Sequence, residues 1–192
     1  MTSNTILSLF DYSGNWSEPY RLAGFNVIQI DIKLGIDILE FDYTQIDSVY
    51  GILAAVPCTD FAVSGARWWK EKDKTGATKY SLKLLDRTLD IIDYFNPQFW
   101  AIENPVGRIA KFRPSIGKPW YFDPCDFGDP YTKKTGLYGE FMPPLPLFIG
   151  GDWSVYPSEG SKMHKLPPSE NRQELRSETP KGFAKAFYLA NP

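Results

Sequence analysis

The sequence predicts an α/β fold: a mostly parallel sheet with helices on both faces. Three observations carry that reading. Short continuous apolar runs recur and stop abruptly at polar or Pro-containing turns. Helical stretches separate them, one with strong 3.6-residue periodicity. The 192-residue chain, 43% hydrophobic and 23% charged, has the composition of a packed domain rather than a disordered one. At this size a chain buries roughly 70% of its unfolded surface and needs no staples.

The elements follow in order. Ile6-Leu7-Ser8-Leu9-Phe10 reads as a buried first strand, followed by the polar turn Asp11-Tyr12-Ser13-Gly14-Asn15. Residues 18–23 read as a short helix, with Pro19 tolerated in the first turn and Gly24 stopping it. Val27-Ile28-Gln29-Ile30 is a second strand ending at Asp31, and Gly51-Ile52-Leu53-Ala54-Ala55-Val56 a third, ending at Pro57-Cys58. Leu82, Leu85, Leu89, Ile92 and Phe95 recur at helical spacing, which predicts a helix over 78–95 that Asn96-Pro97 ends. Residues 98–102 form the next strand, stopping at Glu103-Asn104-Pro105. Beyond residue 104 the texture changes. Eleven of the 16 prolines lie between Pro105 and Pro168, so 104–176 reads as loops, turns and short edge strands within a single domain 1–192. A last helix is expected near 181–189, packed back on the sheet.

Composition also excludes function classes. No apolar run approaches the roughly 20 residues of a membrane helix, and no signal-peptide pattern opens the chain, so a reducing, cytoplasmic setting is expected. Cys58 and Cys125 lie 67 positions apart, neither a zinc spacing nor a disulfide framework. With one histidine, His164, a His-rich metal site or two-His mechanism is out of reach, and no metal is expected. The net charge of −2 argues against a protein held on nucleic acid by global charge alone. Residues 11–50, however, carry seven acids and two bases, and residues 61–87 seven bases and three acids. The first face suits a cationic or neutral ligand, the second a phosphate backbone, although both patterns also fit ordinary solvated surfaces.

In open α/β sheets ligands bind beyond the carboxyl ends of the strands. Four groups fall at such ends: Asp11 to Gly14, Asp31, Cys58 and Glu103. The first is a strand, a Gly-containing turn and a helix without the full GxGxxG pattern, which cradles a pyrophosphate poorly. An acid at Asp31 is placed to take both hydroxyls of a ribose. Adenosine without phosphates, as in S-adenosylmethionine, fits better than a dinucleotide, and its sulfonium suits an acidic face. Cys58 leaves an apolar strand beside Pro57 and polar residues, a setting for a nucleophile if its thiolate is stabilised. A carboxyl at Glu103, desolvated in a cleft, stays protonated and can donate to a ring nitrogen. Trp68-Trp69 with Lys70 to Lys74 reads either as a stacking and phosphate-binding loop or as two rings covering a core edge.

Taken in order, these segments resemble the DNA cytosine-5 methyltransferase family, particularly its short phage and prophage versions, over nearly the whole chain. Phe10-Asp11-Tyr12-Ser13-Gly14 is similar to the first motif, Asp31-Ile32 to the second, and Asp37-Ile38 to the third, with Asp42 competing for that role. Pro57-Cys58-Thr59-Asp60-Phe61 is similar to the Pro-Cys motif and Glu103-Asn104-Pro105-Val106 to the Glu-Asn-Val motif, here with an inserted Pro. The two stand 45 positions apart. Tyr131-Thr132-Lys133-Lys134-Thr135 sits where the family carries Gln-x-Arg-x-Arg, and Arg176-Ser177-Glu178-Thr179-Pro180 resembles the motif that completes the cofactor site.

The resemblance implies a Rossmann-like class I S-adenosylmethionine-dependent methyltransferase fold and methyl transfer to carbon 5 of cytosine in DNA through a covalent Cys58 adduct. Cys58 and Glu103 would be catalytic. Phe10, Asp11, Tyr12, Ser13, Gly14, Asp31, Ile32, Asp37, Ile38, Pro57 and Thr179 would hold S-adenosylmethionine, and Asn104, Arg108, Lys133 and Lys134 the substrate. The partner is DNA, met by a monomer in a bacterial or phage-infected cell. Only residues 137–174 stand where the family has a recognition domain, so specificity is expected to be low, short-site or supplied by a protein partner. The Arg-to-Lys replacement gives up bidentate geometry. Two alternatives remain open at this level: the same chemistry on RNA or a free pyrimidine nucleotide, and a non-catalytic decoy that retains the fold.

Overall fold

A computed structural model describes residues 3–146, 159–169 and 172–192. Its centre is a six-stranded sheet in the order β2-β1-β3-β4-β6-β5. Strands β1 (Thr5–Leu9), β2 (Asn26–Ile30), β3 (Gly51–Ala54) and β4 (Phe99–Pro105) run parallel. β5 (Trp120–Phe122) and β6 (Thr135–Glu140) close the far side antiparallel. The inner strands β1 and β3 are wholly buried because both of their faces are covered, whereas β2, at the sheet edge, is only partly buried.

Alternation within each strand divides the core in two. Leu7, Leu9, Ile52, Ala54 and Ile102 face a cluster with Leu84, Leu85, Ile91 and Ile92. These last belong to helix α3 (Ala77–Phe95), whose buried line (Thr78, Ser81, Leu84, Leu85, Thr88, Ile91 and Ile92) shares only Leu85 and Ile92 with the stripe read from the sequence, while Leu82, Leu89 and Phe95 pack partly buried at its edge. Ile6, Leu53, Ala101 and Leu137 face the opposite cluster, with Trp16, Tyr20, Phe183 and Phe187. Tyr20 comes from helix α1 (Glu18–Leu22), and Phe183 and Phe187 from helix α7 (Lys181–Ala190). Stacking of Phe122 on Phe183, with centroids 4.0 Å apart, brings the C-terminal helix to the antiparallel edge.

Two expectations are corrected. The segment beyond 104 is not wholly loops and edge strands: β6 lies inside the sheet, between β4 and β5. Its pairing also prolongs β4, so Glu103, Asn104 and Pro105 are strand residues opposite Leu137, Gly136 and Thr135. The stretch after Trp68 is a helix rather than a loop, α2 (Trp69–Thr75), ended by Gly76 in the left-handed conformation. The remaining short helices are α4 (Ile109–Phe112), α5 (Lys162–Lys165) and α6 (Arg172–Ser177). Of the expected recognition segment, residues 147–158 and 170–171 lie outside the described residues. No helix among the described residues is long and apolar enough to cross a membrane.

Candidate active site

The carboxyl rim of the parallel strands gathers the singled-out residues into two neighbouring groups. On the β1/β2 side, Phe10 leaves β1 with φ 59°, a left-handed conformation that a bulky residue adopts at a cost. Its N–H donates to the Ile30 carbonyl at 2.8 Å, which ties the turn to the end of β2. Asp11 is buried, and its carboxylate accepts from the Ser8 hydroxyl at 2.8 Å, the Ser13 hydroxyl at 3.3 Å and the Ser17 hydroxyl at 3.1 Å. Gln29 Nε2 donates to the Asp11 carbonyl at 2.8 Å. Gly14 closes the turn with φ 71°, and a Cβ there would press on the Gln29 amide. Asp11 therefore shapes this loop and has no carboxylate oxygen left over for a ligand.

Asp31 and Asp37 differ from it. Asp31 accepts from the Lys33 N–H at 2.8 Å and Asp37 from the Leu39 N–H at 2.9 Å, each through Oδ1. The second oxygen of each has no hydrogen-bond partner among the described residues. Asp42, the competitor for the third motif, spends both oxygens on Thr44 and Gln45. Ile32 is exposed and Tyr12 half-exposed, with Lys33 Nζ 4.8 Å from its ring centroid. Ile38 is corrected: its side chain belongs to the core, and only its backbone remains for a ligand. Thr179 is buried beside the α7 N-terminus.

The second group lies past β3 and along β4. Ala54 pairs with Ile102, so the chain leaving β3 through Pro57 and Cys58 runs beside Glu103. Asn104 is wholly buried, and its Nδ2 donates to the Val56 carbonyl at 3.0 Å, one residue before Pro57. It is thus a tie for the Pro-Cys segment, and its Oδ1 is buried without a partner. Glu103 carries the other orphan: Oε1 is buried and accepts no hydrogen bond. Burial raises the Glu103 carboxyl above the usual carboxylate range, and the Lys133 charge opposes this only in part. Lys133 Nζ stands 4.0 Å from Oε1, within ion-pair range but beyond hydrogen bonding.

Cys58 feels the same surroundings. Burial raises its thiol pKa, the Glu103 charge raises it further, and Lys133 and Arg176 pull it down. Thiol, carboxyl, ammonium and guanidinium thus form one electrostatic neighbourhood. Arg176 on α6 is the contributor whose role at the thiol the sequence did not show. Tyr131, also unassigned, is buried nearby, its phenol pushed up by desolvation and then by Asp129, Glu178 and Glu103. The period of two along Tyr131-Thr132-Lys133 was the available signal for Tyr131. For Arg176 there was none beyond its place in the closing motif.

Lys133 is half-buried beside Glu103, whereas Lys134 is exposed, with its Nζ 5.3 Å from the Tyr121 ring centroid. One substrate-side expectation is corrected. Arg108 is buried and engaged within the protein, with its guanidinium on Asp73, Thr78 and the Asp60 carbonyl. Of the tryptophan pair, Trp68 is half-exposed while Trp69 lies against Arg108. Cys125 sits apart, between Asp123 and Asp126. No group of His, Cys, Asp and Glu among the described residues is arranged to hold a metal ion.

No protein-family model matches the chain. It is 29% identical over 187 residues to a protein of Frog virus 3 (isolate Goorha) named "Probable DNA (cytosine-5)-methyltransferase", a match covering 84% of each chain. Among solved structures it is similar to the Entamoeba histolytica methyltransferase EhMeth, with a TM-score of 0.51 and 17% identity, over 89% of this chain and 62% of that one. A DNA modification methyltransferase encoded within an E. coli prophage gives a TM-score of 0.49 at 16% identity, over 87% of this chain and 49% of that one. The chain thus spans about half to three-fifths of these structural neighbours. The fold is that of the class I methyltransferases.

Proposed function

We propose that this relative of the DNA cytosine-5 methyltransferases transfers a methyl group to carbon 5 of cytosine in DNA, with Cys58 as nucleophile and Glu103 as the acid at ring nitrogen 3. The observation that carries the reading is Glu103 itself: a partly buried carboxyl with one buried, unpartnered oxygen, in the same charged neighbourhood as a strand-end thiol. Native proteins rarely leave such an atom unmatched unless a ligand completes it. The name of the viral relative supports DNA as the substrate.

The donor set fits S-adenosylmethionine. Asp31 and Asp37 each keep one carboxylate oxygen for ribose hydroxyls or an adenine amine, while Asp11, Ser13 and Gly14 hold the turn open around Phe10. When bound there, this cofactor supplies an electrophilic methyl. The chain's own residues do the rest. Glu103, held neutral by desolvation, donates to nitrogen 3 and withdraws electron density from the ring. A neutral Glu103 also lifts the charge that otherwise holds the Cys58 proton on. Cys58 gives its proton to water, the thiolate adds to carbon 6, and the displaced electron pair makes carbon 5 nucleophilic. Once carbon 5 carries the methyl, water takes its proton, the pair left behind expels the sulfur from carbon 6 as thiolate, and nitrogen 3 returns its proton to Glu103, so one difficult substitution is split into easier steps. A duplex base must leave the stack to reach this rim, costing a few kcal/mol. Lys133 stands ready to hold that base or its phosphate, and Lys72 of α2 reaches the carbonyl of Thr59, the residue after the thiol.

The test is bisulfite sequencing of DNA from cells expressing the wild-type chain and Cys58→Ala, beside labelled-methyl incorporation into duplex, single strand, RNA and deoxycytidine monophosphate. Methylcytosine in DNA from the wild type and none from Cys58→Ala is expected, with cofactor affinity nearly unchanged. An active Cys58→Ala overturns the nucleophile, and label confined to RNA or nucleotide overturns the substrate.

A further inference from the structure

We propose that Arg108 is the positioning residue of this site: it locks the Cys58 segment against the Glu103 strand before any substrate arrives. The inference rests on reading Cys58 as the nucleophile. It starts from how the two chemical segments are sewn together. Asn104 Nδ2 holds the Val56 carbonyl at 3.0 Å, the Val63 N–H donates to the Val106 carbonyl at 2.9 Å, and the Arg108 N–H donates to the Phe61 carbonyl at 2.9 Å. Residues 56–63 and 104–108 therefore run side by side, with an antiparallel bridge between Ala62 and Gly107. The approach is so close that a Cβ on Gly107 would collide with the Phe61 carbonyl.

The Arg108 side chain completes the seam and extends it to α2. Its Nε donates to the Asp60 carbonyl at 3.0 Å, two residues beyond Cys58. Nη1 and Nη2 take the two Asp73 oxygens at 2.8 and 2.7 Å, a bidentate fork, and Nη2 also reaches the Thr78 hydroxyl at 3.0 Å. The Trp69 and Phe112 rings flank the guanidinium at 4.6 and 5.1 Å. From the same helix, Lys72 Nζ reaches the Thr59 carbonyl at 2.6 Å and Asp60 Oδ1 at 2.9 Å, while the Ser81 hydroxyl donates to Asp60 Oδ2 at 2.5 Å. Thr59 and Asp60, the residues that follow the nucleophile, are thus held at both carbonyls and at the Asp60 carboxylate. Only a planar fork makes the Asp73 pair, the Thr78 bond, the Asp60 bond and the ring contacts together, so lysine is not an equivalent.

Holding the reacting groups in register before binding lowers the barrier of the bound state without adding substrate affinity. Arg108→Lys should therefore lower kcat for methyl transfer at least tenfold and leave KM for DNA within about threefold. In the DNA-free protein, amide exchange over residues 59–76 should quicken at least tenfold with β1 to β4 still protected, and alkylation of Cys58 should quicken as well. A faster thiol beside a slower enzyme is the signature of lost positioning, since general destabilisation opens the sheet amides too. Asp73→Asn, at a half-exposed carboxylate, should move every readout the same way by a smaller factor, and the double variant should be no worse than Arg108→Lys alone. That second variant carries the test if Arg108→Lys fails to fold. Unchanged exchange over 59–76 in a folded variant, or a loss appearing only in KM, overturns the proposal. Exchange and alkylation are read without turnover, so an active Cys58→Ala would sink the proposed reaction while leaving the clamp measurable.

Discussion

Asp11 is a buried acid and Glu103 a partly buried one on the carboxyl rim of one sheet, and their surroundings are opposite. Three serine hydroxyls and the Ser17 N–H saturate Asp11. Glu103 is left with a wholly buried oxygen that accepts nothing and an ammonium 4.0 Å away. A saturated carboxylate is spent on structure, because each hydrogen bond it accepts fixes a loop atom. An unsaturated one has a desolvation cost with no internal return, and a ligand that supplies the missing donor or acceptor recovers it. The two acids thus divide the rim into a part that holds shape and a part that awaits chemistry.

Replacing Glu103 breaks the comparison most sharply. Glu103→Gln keeps the volume and loses the titratable proton, and turnover should fall about 10²- to 10⁴-fold, the usual worth of a general acid. Cofactor affinity, measured by calorimetry, should change little. At pH values high enough to ionise Glu103 in the wild type, alkylation of Cys58 should be faster in the variant, because the carboxylate charge that raises the thiol is gone. Losses of equal size in binding and turnover would mean that Glu103 is structural in the way Asp11 is.

The converse substitution comes next. Asp11→Ala removes the common acceptor of Ser8, Ser13 and Ser17 and leaves buried hydroxyls unmatched. A cost of about 3 kcal/mol is expected, read as a fall in Tm of roughly 6–12 °C at 2–4 °C per kcal/mol for a domain of this size. Methyl transfer by the protein that remains folded should persist at a reduced level through a loosened cofactor turn. A variant with normal Tm and no cofactor binding would reverse the assignment, making Asp11 a ligand rather than a brace.

What the sequence showed follows from range. Pro57-Cys58 and Glu103-Asn104 were legible because each sits where an apolar run ends, and strand ends on a parallel sheet converge whatever the rest of the chain does. Asp31 was legible for the same reason. β6 was not, since Thr135-Gly136-Leu137-Tyr138-Gly139-Glu140 has two glycines in a Pro-rich stretch and becomes an inner strand only by pairing with β4, more than thirty residues earlier. Arg108 is placed with the substrate only as what the family resemblance implies. Its real partners, Asp60, Asp73 and Thr78, are brought to it by the seam between two loops, which no local pattern encodes. Ile38 turns inward on a finer scale, where one residue of register decides between core and ligand.

The smallest effect is a test of folding rather than of rate. The Glu103 carboxyl is raised by burial in the folded chain, so the folded state binds its proton more tightly than the unfolded state does. Stability from this residue is complete below the unfolded glutamate value near 4.3 and declines as pH climbs through the raised folded value. Glu103→Gln has no proton to lose, so the stability difference between variant and wild type should tilt toward the variant with rising pH. The Tm of Glu103→Gln minus that of the wild type should be larger at pH 8 than at pH 5, by a few degrees for each kcal/mol. A difference that stays flat from pH 5 to pH 8 would show that the orphan oxygen of Glu103 finds a partner in solution, and with it the strongest reason for placing the reaction there would go.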